Sequence, residues 1–204
     1  MFNGLIRHTG IIKSFSNNNL TLISNLKPNI GDSVATNGIC LSVTKINNDG
    51  FNLNLSTETQ NIVKPFKIGA KVHTELAMKV GDRIDGHILS GHIDGLGKIK
   101  KIEKLNSGID FYISLDEKLM PFVCKKGSIA IDGVSLTIND VINDGVRLTI
   151  IDITLKDTLF NSYKIGDLVN VETDILARYA ERILNYKKQN QLSWSDVDRI
   201  NLLY

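Results

Sequence analysis

Only three prolines, two cysteines and one tryptophan occur in 204 residues, and aromatic side chains make up 6% of the chain. Two cysteines, Cys40 and Cys124, cannot supply a disulfide framework, and a reducing cytoplasm suits them best. No apolar run approaches the roughly 20 residues that cross a bilayer. The opening Met-Phe-Asn-Gly-Leu-Ile-Arg-His has neither the basic start nor the long apolar core of a secretory signal. Charge of one sign is also missing. The net charge is +2, and the longest basic cluster, Lys98 to Lys104, contains an acid and alternates with isoleucine. That pattern reads as a solvated strand face, because nucleic-acid binders concentrate positive charge. A phosphate loop is lacking, since the glycine-rich Gly91 to Gly97 opens a predicted strand and not a helix. His87 and His92 have no further Cys or His nearby, so no metal site is predicted.

What is present is an ordinary globular composition, 42% apolar and 23% charged, in a chain able to bury roughly 70% of its unfolded surface. One stretch organises it. Asn37 to Val43 reads Asn-Gly-Ile-Cys-Leu-Ser-Val, and Asp132 to Ile138 reads Asp-Gly-Val-Ser-Leu-Thr-Ile. The echo extends. At an offset of 95 the Asn-Asp-Gly turn at 48–50 falls on 143–145, Leu53 on Leu148 and Thr59 on Thr154. At an offset of 87 Gly4 and Gly10 fall on Gly91 and Gly97, and at 97 Lys67-Ile-Gly falls on Lys164-Ile-Gly. So long a period excludes a solenoid and indicates a duplicated domain. The expected division is 1–88, then 89–186 with a C-terminal helix at about 174–188, then a tail at 187–204.

Each half reads as β. Asn-Asp-Gly between alternating strands is a hairpin signal, because tight turns need residues tolerant of positive φ. A Gly-Asp or Gly-Ala turn followed by an alternating strand recurs at Gly31, Gly69, Gly81 and Gly166, with Gly127 a looser case. Many short strands at this spacing imply a small closed barrel or sandwich in each half. Short helical turns are expected at 59–65 and 155–162, the first ended by Pro65. Ile175, Leu176, Tyr179, Ile183 and Leu184 follow helical spacing behind a Thr173 or Asp174 cap. That helix has no counterpart in the first half. It is either a lid on its own barrel or an assembly element.

Strand alternation puts Cys40 with Ser42, and Ser135 with Thr137, on one face, while Ile39, Leu41 and Val43 face the other way. A lone strand cysteine is commonly a small core residue, yet the twin of Cys40 is Ser135, which has little value to an apolar core. The position therefore suits a polar pocket. His92, flanked by glycines at the junction of the halves, is the best acid/base candidate, since imidazole titrates near pH 6.5. Its bland alternative is a hydrogen-bonded strand-end histidine. His8 and His73 read as surface groups, His87 as intermediate and Cys124 as buried and inert. Thr59 and Thr154 end matching strands, where ligand binding and turn capping fit equally.

These residues resemble a known family. Met1-Phe-Asn-Gly-Leu5, Asn37 to Val43, Gly86-His-Ile-Leu-Ser-Gly-His-Ile-Asp-Gly95 and Ile131 to Ile138 match, in order and spacing, the signatures of the riboflavin synthases that work without metal or redox cofactor. The resemblance implies an all-β fold of two tandem six-stranded Greek-key barrels, each holding one 6,7-dimethyl-8-ribityllumazine, with a C-terminal helix supporting a homotrimer. It implies a dismutation giving riboflavin and 5-amino-6-(ribitylamino)uracil, at a site between the first barrel of one subunit and the second barrel of its neighbour. Association with lumazine synthase stays open.

Carried over by motif, the first barrel's ligand would meet Gly4, Leu5 and Ile6, then Cys40, Leu41 and Ser42, then Asn54, Leu55, Ser56, Thr57, Glu58 and Thr59. The second barrel's would meet Gly91, His92 and Ile93, then Asp132, Ser135, Leu136 and Thr137, then Thr149, Ile150, Ile151, Asp152, Ile153 and Thr154. Lys126 would reach across from a neighbouring subunit, and Phe2 would pack at the mouth of the site. His92, Cys40, Ser135 and Thr137 would lie nearest the chemistry. Asn3, Ile39 and Ser42 depart from the family pattern, and Ser42 keeps its hydroxyl. Two rivals remain: a non-catalytic lumazine-binding protein of the same fold, and a paired-barrel interaction module without a ligand.

Overall fold

Asn48-Asp49-Gly50 turns the chain between β4 (Ile39–Asn47) and β5 (Gly50–Asn54), the hairpin its residues predict. In the computed structural model, which describes residues 1–189, four more strands complete the first half. They are β1 (His8–Ser16), β2 (Asn19–Ser24), β3 (Ser33–Thr36) and β6 (Lys71–Leu76), and a short helix α1 (Thr57–Ile62) precedes the last. All neighbours are antiparallel, and the order β1-β2-β5-β4-β3-β6 closes on itself. Alternation fills the interior: Ile12, Leu20, Leu22, Val34, Ile39, Leu41, Val43, Phe51, Leu53 and Val72 are buried in one cluster.

The second half repeats this order with one strand in two pieces. Its strands are β7 (Gly95–Leu105), β8 (Gly108–Leu115), β9 (Ser128–Ile131), β10 (Val134–Thr137), β11 (Asp140–Ile142), β12 (Gly145–Ile150) and β13 (Leu168–Thr173). They form a seven-stranded sheet, β10-β9-β13-β7-β8-β12-β11, whose two end strands are consecutive in the chain. β10 and β11 together occupy the place of β4. The break at Asn139 coincides with the register shift around Thr44 in β4, at the same offset of 95. The shift around Lys13 in β1 likewise returns around Lys100 in β7, at an offset of 87. Local irregularities were thus copied with the regular structure, as expected of bulges that bend a strand into a barrel.

The helical turns lie close to their predicted places. α1 ends before Pro65, and α2 (Asp152–Asp157) is followed by a 3-10 turn at Leu159–Ser162. Helix α3 spans Ile175–Gln189, and its cap is Asp174, whose side chain accepts from Leu176 N at 2.9 Å. Leu176, Tyr179, Ile183 and Leu184 of α3 are 57–69% exposed. That apolar stripe is not spent on its own barrel. Three expectations are corrected. Gly81 leads into a turn and loop, not a strand. Cys124 is exposed, because it follows the 3-10 helix Glu117–Phe122 in the connection before β9 and never enters a strand interior. His73 is fully buried, for reasons given below. The expected tail lies almost wholly outside the described residues, and no described helix is long and apolar enough to cross a membrane.

Candidate active site

The two copies of the organising stretch meet through their first two residues. Asn37-Gly38 and Asp132-Gly133 each turn with both residues at positive φ. The two turns stack so closely that a Cβ on Gly38 would lie 2.8 Å from Gly133 N, and one on Gly133 would lie 2.7 Å from Gly38 N. Only glycine permits that backbone approach. Asp132, expected to meet ligand, is instead fully buried in this seam. One carboxylate oxygen accepts from Asn170 N at 2.8 Å; the other takes the Lys64 ammonium and the Tyr163 hydroxyl. Burial and the adjacent Asp132 carboxylate raise the Tyr163 pKa well above its ordinary value. Phe2 is also drawn inward, 1% exposed among Ala35, Leu89 and Ala130, and so does not sit at a mouth.

The remaining residues of each stretch line clefts. Segments of the opposite copy complete them, because the chain crosses over. Phe2 pairs with Leu89 in an isolated antiparallel bridge, which aligns the two crossing segments. Gly4 O then accepts from Ser135 N at 2.9 Å, and Gly91 O accepts from Cys40 N at 2.8 Å. The expected partition is therefore reversed. Gly91, His92 and Ile93 join the first barrel's Cys40, while Gly4, Leu5 and Ile6 join the second barrel's Ser135. Both glycines are required: a Cβ on Gly91 would lie 2.5 Å from Cys40 Cβ, and one on Gly4 would lie 2.7 Å from Ser135 Cβ.

Two carboxylates that motif reading missed fix the crossings. Glu75 on β6 accepts from Asn3 N at 2.9 Å and Gly4 N at 3.1 Å. Glu172 on β13 accepts from Ser90 N at 2.7 Å, Ser90 Oγ at 2.6 Å and Gly91 N at 3.0 Å. Burial raises both carboxyl pKa values, and the backbone N–H donors oppose that rise. The signal was in the sequence, since the two glutamates stand at the same 97-residue offset as Lys67-Ile-Gly and Lys164-Ile-Gly.

The first cleft, about 340 Å³, is lined by Ile39, Cys40, Glu58, Thr59, Gly91 and His92 among others. Cys40 is half-buried and His92 exposed. The second, about 120 Å³, is lined by Gly4, Leu5, Ile6, Ser135, Ile153 and Thr154 among others. Here Ser135 Oγ lies 2.7 Å from His87 Nδ1. Burial lowers the His87 pKa, so its ring stays neutral near pH 7, and Nε2 has no partner among the described residues. One cleft is thus lined by a thiol and His92, and the other by a hydroxyl backed by the buried His87.

The other expected residues divide by facing. Leu41, Leu55 and Ile150 point into barrel cores, so their side chains are spent on packing. Leu136 packs partly against the second core. Ser42, Asn54, Thr137, Ile151 and Asp152 are exposed, and none of them lines either cleft. Ser56 caps α1 by accepting from Thr59 N at 3.0 Å, and the Thr57 hydroxyl takes Asn18 Nδ2 at 3.3 Å. Thr149 Oγ1 donates to Asp110 at 2.6 Å, inside a network with Arg147 and Asp140. Lys126 is exposed with φ of 68°. No metal-competent cluster of His, Cys, Asp or Glu occurs among the described residues.

With this geometry in view, the comparisons are specific. The lumazine binding domain family matches twice, at residues 3–77 and 90–174. The riboflavin synthase of Photobacterium leiognathi is 36% identical over 207 residues, covering 97% of this chain and 95% of its own. That of Bacillus subtilis is 34% identical over 200 residues, covering 94% and 93%. A crystal structure of LumP complexed with riboflavin superposes with a TM-score of 0.76 at 23% identity, over 85% of this chain and 99% of that one. LumP complexed with 6,7-dimethyl-8-(1'-D-ribityl) lumazine gives 0.74, with the same identity and coverage.

Proposed function

The chain belongs to the lumazine binding domain family, among the riboflavin synthases, and from that membership we propose its reaction. It takes two molecules of 6,7-dimethyl-8-ribityllumazine, one in each barrel, and moves a four-carbon unit from one to the other. The products are riboflavin and 5-amino-6-(ribitylamino)uracil. Atoms and electrons balance between the two substrate molecules, so the dismutation calls for no outside oxidant or reductant. The observation that carries the reading is the pair of equivalent clefts with unequal chemistry, Cys40 with His92 and Ser135 with His87.

The 7-methyl protons of the substrate are acidic because the ring delocalises the resulting anion. A neutral imidazole is base enough to take one of them. The larger task is to hold two bulky, identical rings in contact, and positioning of that kind contributes about 7–11 kcal/mol. The crossing segments supply it, since Glu75 and Glu172 lock the backbone on which Gly4 and Gly91 approach the ligand faces. Cys40, Ser42, Ser135 and Thr137 offer short polar groups that leave room for a heterocycle.

The working form is a homotrimer in which the first cleft of one subunit faces the second cleft of its neighbour. Two observations support that arrangement. The second cleft falls below the roughly 300 Å³ at which small-molecule sites begin, so it needs another wall. The exposed apolar stripe of α3 also needs a cover. Thr137 and Lys126 then belong to the shared boundary. The rival reading, a lumazine holder without turnover, has the LumP fold likeness in its favour. Incubating purified protein with the lumazine separates them: riboflavin accumulating over many turnovers supports the enzyme, and tight binding without product supports the holder.

A further inference from the structure

A third cleft, about 480 Å³, opens on the seam between the barrels and shares no lining residue with the other two. Its walls come from both halves. Ile12, Phe66 and Val72 form one apolar side, and Tyr163 with Leu168 forms the other. Asn37 contributes to its lining. The Asn37 carboxamide oxygen accepts from His73 N at 2.9 Å, and its amide nitrogen makes no hydrogen bond among the described residues.

Three lysines give this cleft its character. Lys64 is held on Asp132, but Lys67 and Lys71 make no ion pair among the described residues. The one acid in the lining, Asp167, already accepts from Lys164 N at 2.8 Å. Lys67 is copied as Lys164 in the second half, but the other two lysines are particular to the first. In the duplicate the same backbone carries Leu159 where Lys64 stands, and Leu168 where Lys71 stands. A volume in the range of small-molecule sites, apolar walls and two unpaired ammonium groups at one rim are together the makings of a pocket for an organic anion. We propose that this seam cleft binds a flat, mostly apolar molecule bearing one carboxylate, sulfonate or phosphate group. The aromatic body lies between Phe66 and Leu168, and the anionic group meets Lys67 and Lys71. Such a ligand touches both barrels at once and so stabilises the seam by mass action.

Naphthalene-1-sulfonate is a suitable probe, titrated calorimetrically into protein already saturated with riboflavin so that the barrel clefts are filled. The expected result is saturable binding that persists with riboflavin present and raises the melting temperature. It should weaken at least tenfold in Lys67→Glu/Lys71→Glu and several-fold in the milder Lys67→Gln/Lys71→Gln. Lys104→Glu, exposed at the far end of β7 opposite Ile109, should leave it unchanged. No binding at millimolar probe, displacement of the probe by riboflavin, equal loss in the β7 variant, or equally tight binding of inorganic phosphate alone would each overturn the assignment.

Discussion

His73 and Asn170 occupy the same position in the two barrels and make the same two contacts to the opposite half. Asn170 Nδ2 donates to Asn37 O at 3.0 Å, and its Oδ1 accepts from Lys64 N at 2.8 Å. His73 Nδ1 lies 2.9 Å from Asp132 O, and its Nε2 accepts from Leu159 N at 2.8 Å. Lys64 and Leu159 are themselves equivalent, at an offset of 95. The imidazole acts as a carboxamide, donating at Nδ1 and accepting at Nε2. Only the neutral ring can do both.

A pH dependence follows. Burial is the main cause that lowers the folded His73 pKa from 6.5 to about 4; the nearby Asp132 carboxylate opposes the shift, and Lys64 adds to it. The unfolded chain therefore takes up a proton that the folded chain refuses. The stabilisation is fully present above pH 6.5 and is lost as pH falls from there through about 4. The amount at stake is on the order of 3 kcal/mol. Chemical denaturation between pH 7.5 and 4.5 should show the decline, and His73→Asn, copying its twin, should flatten that part of it. An unchanged slope in the variant would remove His73 from the explanation.

The Gly38–Gly133 contact sets a steric limit. Either glycine replaced by alanine adds a Cβ under 3 Å from the opposite backbone and forces positive φ on a side chain. We expect each substitution to cost about 1–3 kcal/mol, seen as a lower melting temperature. A control at Gly31, also at positive φ but with open space around its Cβ, should cost less.

The chemistry predicts its own losses. His92→Ala and Cys40→Ala should each slow turnover at least tenfold while circular dichroism and melting stay near wild type, since His92 is exposed and Cys40 half-buried. Glu172→Ala should reduce kcat by releasing Ser90 and Gly91, whereas Glu172→Gln should retain more activity because its amide oxygen still accepts. Wild-type rates in both His92→Ala and Cys40→Ala would contradict the roles given to them.

Deleting 174–204 removes the exposed stripe of α3. Sedimentation should then show loss of the proposed trimer with strand content intact. A trimer surviving the deletion would assign assembly to other surfaces.

Much of this architecture was legible because duplication doubles every local signal. The Asx-Gly turns, the hairpins and the in-out alternation of Ile39 to Val43 appear in both copies. The crossing of Gly4 and Gly91 was not legible, because strand pairing between distant segments leaves no mark in either segment. The same gap hid His73, whose burial depends on a half of the chain it does not belong to. Asp132 was misplaced for a related reason. Its motif neighbours line a cleft, but the tight turn points its carboxylate back into the seam. Cys124 shows the limit of composition, since an apolar preamble of Pro121, Phe122 and Val123 ends in a surface connection.

The most direct measurement is complementation between two defective chains. Cys40→Ala/His92→Ala cripples the first cleft, and Ser135→Ala/Thr137→Ala cripples the second. Each alone should be nearly inactive. Co-expressed in equal amounts and purified without separating the assemblies, they should recover about a quarter of the wild-type rate, because random cyclic assembly pairs two intact clefts at that frequency. Mixed assemblies no more active than the separate variants would contradict a reaction carried out between subunits.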